Sequence, residues 1–255
     1  MATLTSFDGV QLHYEEEGTG EPVLLLHGFT SSTAGNWQRP GIWATLVDDG
    51  RRVIGLDARG HGKSAKPHQP EAYENSAMVR DVGALVDHLA LAWVDLVGYS
   101  MGALTAIRFA AQDSRVRRLV LGGIGGDPRE WATPEALANR RERAARILAG
   151  LEVPAGEHIP DPLARRVRAL MEQRRNDLQA MAAIQRAHRP MGGDVDVSAV
   201  TAPTLVVCGE DDVPAEPLAS ALPDGRAHVL PGDHEGVVGD PQLAKVIATF
   251  LATAG

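Results

Sequence analysis

One stretch decides the fold of this chain, residues 94–110, which read VDLVGYSMGALTAIRFA. The first four residues form a strand-like run of valine and leucine around one aspartate, and the last eight have the composition and spacing of a helix. Between these two parts lies a Gly-x-Ser-x-Gly pattern in which Gly98 and Gly102 flank Ser100. A serine at such a sharp strand-to-helix turn needs a strained backbone, and a side chain at either glycine would collide with the neighbouring strand or helix. The stretch therefore predicts a nucleophilic serine at the end of a strand.

The same alternation of strand and helix recurs along the chain. It is typical of an α/β protein with a mostly parallel, twisted sheet and helices on both faces. Runs rich in β-branched residues and leucine predict strands at Gln11–Glu15, Val23–His27, Val53–Asp57, Val94–Tyr99, Arg118–Gly122, Thr204–Gly209 and Ala227–Leu230. Helical spacing predicts helices at Ile42–Asp48, Asn75–Leu91, Met101–Gln112, Glu216–Leu222 and Pro241–Ala252.

The pattern changes over residues 125–191, where β-branched runs disappear. Here the spacing predicts helices over Pro134–Leu148, Pro162–Asp177 and Leu178–Arg189. We interpret this segment as an inserted helical lid on a core made of residues 1–124 and 192–255. The lid contains twelve arginines and nine acidic residues, whereas the rest of the chain is strongly acidic. This balance is ordinarily that of solvated helix faces with ion pairs. The alternative is a mildly basic lid surface over the site, which favours substrates bearing a carboxylate.

Composition excludes several classes of function. The 255 residues carry a net charge of −8, which repels phosphate backbones, so no nucleic-acid partner is expected. The single cysteine and the absence of a leader-like start predict a cytoplasmic protein, and no apolar run is long enough to predict a membrane span. No metal or cofactor is expected, because the chain has no cysteine pair, no His-Glu-x-x-His and no dinucleotide fingerprint after a strand. A homo-oligomeric state stays open.

Two turns offer backbone N–H groups that suit a developing oxyanion. The turn after Ser100 places the N–H of Met101 at the start of a helix, where the partial charge is positive. His27-Gly28 ends another apolar strand, which leaves the N–H of Phe29 as a second donor. His27 fits better as the residue that orients this loop than as a proton carrier.

With these motifs, the chain resembles the α/β-hydrolase superfamily, specifically its small esterase, lactonase and cofactor-free haloperoxidase-like members. The resemblance covers nearly the whole chain outside the lid. It is carried by HGF at 27–29, DARGHGKS at 57–64, the turn at Ser100, PTLVVCG at 203–209 with the acids after it, and a histidine near the C-terminus. The family implies a nucleophile, an acid and a base in that chain order.

The resemblance places the acid and the base in two later loops. The family's Gly-x-x-Asp spacing selects Asp212, with Asp211 as the alternative if the turn is shifted and Asp127, after the preceding strand, as a further one. The base falls on His234, in the loop after the last predicted strand, whereas His228 lies inside that strand. Asp233 precedes His234, and a neighbouring carboxylate is expected to raise the pKa of the imidazole.

The resemblance implies a serine hydrolase that acts on a small-molecule ester or lactone. Position 100 is a serine, which disfavours the dehalogenase and epoxide-hydrolase branch with its aspartate nucleophile. Within the serine branch, cleavage of small to medium carboxylic esters is the first expectation. Lactone opening, or carbon–carbon cleavage of a dienoate, is the alternative with the same residues. A ligand receptor with vestigial activity is the alternative from another class. Trp37 and Trp43 are expected to be packing residues.

Overall fold

The computed structural model describes residues 2–187, 190–191 and 193–252, and the strands in this part of the chain form one eight-stranded sheet. They are β1 (Ala2–Thr5), β2 (Gln11–Glu17), β3 (Pro22–Leu26), β4 (Arg52–Asp57), β5 (Val94–Tyr99), β6 (Val116–Gly122), β7 (Thr204–Gly209) and β8 (Gly225–Leu230). Their order is β1-β2-β4-β3-β5-β6-β7-β8. The pairs β1–β2 and β2–β4 are antiparallel and the others are parallel. The predicted α/β fold with a mostly parallel sheet is confirmed.

Nine α-helices accompany the sheet in the described residues. They are α1 (Ile42–Asp48), α2 (Ala77–His88), α3 (Met101–Ala110), α4 (Pro134–Glu152), α5 (Pro162–Gln173), α6 (Leu178–Arg186), α7 (Glu216–Ala221), α8 (Gly236–Gly239) and α9 (Pro241–Ala252). A π-helical turn at Ala34–Gln38 precedes α1.

Alternate residues of the central strands face two separate apolar layers, as the period of a strand requires. On β3, Leu24 and Leu26 join the layer formed with α2, α3 and α7. Val23 and Leu25 face the opposite layer, which is formed with α1 and α9. Trp37 and Trp43 are buried in this second layer, in agreement with their expected packing role. Because both faces of the sheet are covered, only the ends of the strands are left for a binding site.

Local backbone geometry explains where the elements differ from prediction. Helix α2 begins two residues late because Asn75 and Ser76 have left-handed φ angles of 55° and 59°. Helix α5 ends at Gln173, before Arg175 turns the chain with a φ of 56°. The predicted strand set lacks β1, a four-residue edge strand. The predicted end of the last lid helix, Arg189, lies outside the described residues.

Helices α4, α5 and α6 lie between β6 and β7 in the chain, and they pack over the carboxyl ends of the strands. Met171 and Met181 of these helices share a buried cluster with Met101, which begins α3. The segment predicted as the lid thus lies close to Ser100, although the division into core and lid at residues 125 and 191 stays a prediction. None of the helices in the described part of the chain is both long and apolar enough to span a bilayer.

Candidate active site

Ser100 lies between β5 and α3 in a backbone conformation of φ 53° and ψ −112°, which a non-glycine residue rarely adopts. The two flanking glycines make this turn possible. A Cβ at Gly98 would lie 2.4 Å from the carbonyl oxygen of Gly102, and a Cβ at Gly102 would lie 2.0 Å from that of Leu26. The N–H of Ser100 donates to the carbonyl of Gly122 on the neighbouring strand at 2.7 Å. The strained turn is therefore held from both sides by backbone.

The structure brings three of the predicted site residues into one hydrogen-bonded chain. His234 Nε2 lies 3.0 Å from Ser100 Oγ, and His234 Nδ1 lies 2.7 Å from Asp212 Oδ2. With the proton on Nδ1, the imidazole donates to the carboxylate and accepts from the serine hydroxyl. The other carboxylate oxygen, Asp212 Oδ1, accepts from the N–H of Val213 at 2.8 Å. This arrangement can draw a proton from the serine while the carboxylate holds the imidazole in place.

The alternative acids lie elsewhere. Asp211 is exposed, and its N–H donates to the carbonyl of Gly232. Asp127 accepts from the N–H of Arg129 and pairs with that guanidinium at the start of a short 3-10 helix. Asp233, beside the histidine, accepts from the N–H groups of Glu235 and Gly236 at the start of α8. Of the candidate acids, the structure therefore brings only Asp212 to the imidazole in the described residues.

The loop that carries Phe29 is fixed around the peptide between Gly28 and Phe29. The carbonyl of Gly28 accepts from His27 Nδ1 at 2.8 Å and from the N–H of Ser31 at 3.1 Å. Because the N–H of a trans peptide points away from its carbonyl, these two contacts orient the N–H of Phe29 in the opposite direction. An added Cβ at Gly28 would lie 3.5 Å from the Cβ of Ser100, so this loop runs alongside the serine.

The imidazole of His27 serves the loop and does not touch Ser100. Its Nε2 accepts from the N–H of Ala58 at 3.1 Å, while Nδ1 donates to the loop carbonyl. Burial lowers the pKa of His27, against an opposing effect of Asp57, so the ring stays neutral and keeps this tautomer. This geometry places His27 as an orienting residue.

A cavity of about 220 Å³ opens beside Ser100 and His234. Its wall is formed largely by polar groups from four segments, together with a few apolar side chains. The lining residues are Gly28, Phe29, Ser31, Gly35, Asn36, Pro40, Tyr99, Ser100, Arg174, His234, Glu235, Val238 and Gly239. The volume is below the range of about 300–1,000 Å³ that is usual for pockets holding drug-sized ligands. The cavity is therefore sized for a small ligand.

Five of the twelve arginines of the predicted lid pair with nearby carboxylates in the described residues. The ion pairs are Arg129–Asp127, Arg146–Asp161, Arg168–Glu172, Arg174–Glu235 and Arg186–Glu152. This pattern favours solvated, ion-paired helix faces rather than a basic lid surface over the site. Of these arginines, Arg174 is the one that lines the cavity in the described part of the chain.

Comparison with known proteins agrees with this fold. A family model described as the alpha/beta hydrolase fold matches residues 21–165. The chain belongs to this alpha/beta hydrolase family. It is 29% identical to the 2-hydroxymuconate semialdehyde hydrolase of Pseudomonas putida, with 96% of this chain and 92% of that protein covered.

Solved structures of the same fold superpose over nearly the whole chain of this alpha/beta hydrolase. A thermophilic esterase from Thermogutta terrifontis matches with a TM-score of 0.70 and 29% identity, covering 98% of this chain and 97% of that one. An epoxide hydrolase from Vigna radiata matches with a TM-score of 0.77, covering 98% and 96%, and at 19% identity this shows the fold alone. The resemblance drawn from the sequence motifs is confirmed, and the chain is a hydrolase of this fold.

Sequence analysis missed three residues that shape the site of this alpha/beta hydrolase. Tyr99 donates its hydroxyl to the carbonyl of His234 at 2.6 Å, and burial raises the pKa of this phenol, so it remains a donor. Gly123 has a φ of 65°, and an added Cβ would lie 2.9 Å from His234 Cε1. Asn36 Oδ1 accepts from the N–H of Gly28 at 2.9 Å. Only Tyr99 carried a sequence signal, its place beside Ser100 in the turn motif.

Proposed function

We propose that this alpha/beta hydrolase cleaves small to medium carboxylic esters through an acyl-enzyme intermediate. The observation that carries the proposal is the continuous hydrogen-bonded chain from Ser100 through His234 to Asp212. It lies at the edge of a small cavity, at the end of the strand that carries the serine. The 29% identity to an esterase over nearly the whole chain supports the ester as substrate.

In the first half of the reaction, Ser100 Oγ attacks the carbonyl carbon of the ester. The hydroxyl proton passes to His234 Nε2, and Asp212 stabilises the imidazolium and keeps its orientation. The carbonyl electrons move to the oxygen, and in this proposal the N–H groups of Phe29 and Met101 donate to the resulting oxyanion. The tetrahedral adduct then collapses, the carbon–oxygen bond to the alcohol breaks, and the alcohol leaves with the proton from His234.

In the second half, water repeats the same steps. His234 accepts a proton from the water as its oxygen attacks the acyl carbon, and it returns that proton to Ser100 Oγ as the serine leaves. The products are one carboxylic acid and one alcohol, and the serine is regenerated. No cofactor takes part in this sequence.

A fluorophosphonate probe tests the nucleophile directly. We expect covalent labelling at Ser100 in the unmodified chain and none in Ser100→Ala, with Ser32→Ala as a control serine that leaves labelling intact. Turnover of a chromogenic ester must continue past one product per chain. A single burst that stops at one product would instead indicate a ligand receptor with vestigial activity.

A substrate panel separates the ester from its alternatives. Esters, lactones and dienoates that carry a cleavable carbon–carbon bond are compared by kcat/KM under one set of conditions. A series of p-nitrophenyl esters, kept below the critical micelle concentration, then tests size. Because the cavity holds about 220 Å³, short to medium acyl chains should be hydrolysed fastest. An optimum at long chains, or a rate jump at a lipid interface, would contradict an enclosed pocket.

A further inference from the structure

A single arginine of the lid contacts both loops that flank Ser100. Arg174 Nη1 donates to Thr30 Oγ1 at 2.9 Å, and Arg174 Nη2 donates to Glu235 Oε2 at 2.8 Å. Thr30 directly follows Phe29, and Glu235 directly follows His234. One guanidinium therefore bridges the loop with the proposed oxyanion donor and the loop with the proposed base.

The position of Arg174 is fixed by the end of helix α5. Its N–H donates to the carbonyl of Leu170 at 3.0 Å, and the next residue has a φ of 56°, which turns the chain away from the helix axis. The N–H of Asn176 closes this turn on the carbonyl of Met171 at 2.9 Å. Met171 is fully buried in the cluster that includes Met101, the residue after the serine. The backbone that carries the guanidinium is thus anchored close to Ser100.

The contacts of Arg174 suit positioning better than stabilisation of the fold. The side chain of Arg174 is 30% exposed and that of Glu235 is 47% exposed, and ion pairs this open to water contribute little to stability. Thr30 is buried and has a φ of 68°, a conformation that a β-branched residue keeps only when its surroundings hold it. The planar guanidinium, with its fixed N–H directions, can hold this hydroxyl and the carboxylate at one separation.

We infer that Arg174 is a positioning residue for hydrolysis, which fixes the loop of Phe29 against the loop of His234 when the lid is seated. This inference rests on the proposed function. Both contacts belong to one side chain of the lid, so any movement that lifts the end of α5 breaks them together. The position of the Phe29 loop relative to the His234 loop therefore depends on the closed lid. When the lid opens, both loops lose their hydrogen bonds to Arg174.

The central test is Arg174→Met, which keeps an apolar stem of similar length and removes both hydrogen bonds. We expect kcat per active site to fall about 10- to 100-fold, the range produced by small misplacements of reacting groups, with KM changed less than about threefold. Active sites are counted by fluorophosphonate titration, so a variant that merely folds less well does not lower the value. The matched control is Arg146→Met, which removes a comparably exposed ion pair with Asp161 inside the lid and should leave kcat unchanged.

Variants that remove one of the two hydrogen bonds of Arg174 at a time show how much of the loss in kcat belongs to each loop. Thr30→Val removes the hydroxyl and Glu235→Gln removes the charge, and each should give part of the loss in kcat. Thr30→Ser keeps an acceptor oxygen and should restore most of the activity lost in Thr30→Val. Combining Glu235→Gln with Arg174→Met should lose little more than Arg174→Met alone, because both act on one contact.

Two results would overturn the inference. One is a kcat per active site in Arg174→Met equal to that of Arg146→Met. The other is an effect on KM alone, which would make Arg174 a substrate contact. If Arg174→Met does not fold, Thr30→Val and Glu235→Gln decide the question by the same criteria. Failure of the proposed function is distinct, since it would appear as ester hydrolysis that survives in Ser100→Ala.

Discussion

Replacement of Asp212 by asparagine tests how the imidazole of His234 is held, because the structure dictates which way the new amide must face. Asp212 Oδ1 accepts from the N–H of Val213 at 2.8 Å, and a carbonyl oxygen can keep that bond whereas an amide NH₂ cannot. The NH₂ of the asparagine must therefore point at His234 Nδ1, which lies 2.7 Å from the second carboxylate oxygen. Nδ1 then has to accept, and the ring proton moves to Nε2.

The consequence for Ser100 follows from the distance of 3.0 Å between its Oγ and His234 Nε2. A protonated Nε2 donates to the hydroxyl and cannot take its proton. We expect kcat to fall on the order of 10⁴-fold, as is known when a triad carboxylate becomes an amide, which corresponds to about 5.5 kcal/mol of transition-state stabilisation. Folding should be preserved, because the asparagine keeps both hydrogen bonds of the aspartate.

The assay is steady-state hydrolysis of a p-nitrophenyl ester, with kcat calculated per folded chain from circular dichroism. Asp211→Asn is the matched control, since Asp211 is exposed and lies one residue away, and its kcat should change less than tenfold. An Asp212→Asn variant within tenfold of the original enzyme would refute the reasoning. A large loss in Asp211→Asn with a mild one in Asp212→Asn would move the acid by one residue.

Three further predictions use the same assay or a stability measurement. Ser100→Ala and His234→Ala should reduce kcat to a similar extent and the double variant little further, because members of such a chain act as a unit; a double variant far below either single one would contradict this. Tyr99→Phe removes the hydrogen bond to the carbonyl of His234, worth about 1 kcal/mol, and should lower kcat by roughly fivefold, whereas an unchanged kcat would mean that this bond does not position the loop. A hydrogen bond from Lys63 lowers the pKa of Glu15 from 4.5 to about 2, so the stability it brings is complete above pH 4.5 and is lost as the pH falls toward 2. Across that window the Tm of the original chain should fall more than that of Lys63→Met, and parallel curves would show that the pair contributes nothing.

Most of the fold is predictable because its determinants are local. The central strands are short apolar runs that alternate with helical segments, and their order in the chain defines the crossovers of a parallel sheet. Strand β1 escaped prediction since it is only four residues long and lies at the edge of the sheet, where it pairs with β2 alone. The late start of α2 depends on two left-handed residues, Asn75 and Ser76, which helical spacing does not reveal.

In the candidate site, too, local patterns were predictable from the sequence and long-range contacts were not. The turn around Ser100 is a local pattern, so the sequence identifies it directly, and the later residues were assigned through the chain order of a resembling family. The structure brings Asp212 and His234 to that serine, and their catalytic roles remain a proposal. The contacts of Tyr99 with the His234 loop and of Arg174 with Thr30 span 135 and 144 residues. Contacts of that range depend on packed geometry that no short motif encodes.

The separation of 134 residues between the serine and its histidine also has a consequence for how the protein is made. Synthesis proceeds from the N-terminus, so β3, β5 and the serine turn leave the ribosome well before β7 and β8, which extend the sheet on one side. A nascent chain that has reached only β6 carries Ser100 without the groups that draw its proton. Under the proposed mechanism, the serine therefore becomes reactive only when β7 and β8 dock. A partly synthesised chain cannot hydrolyse esters in its surroundings.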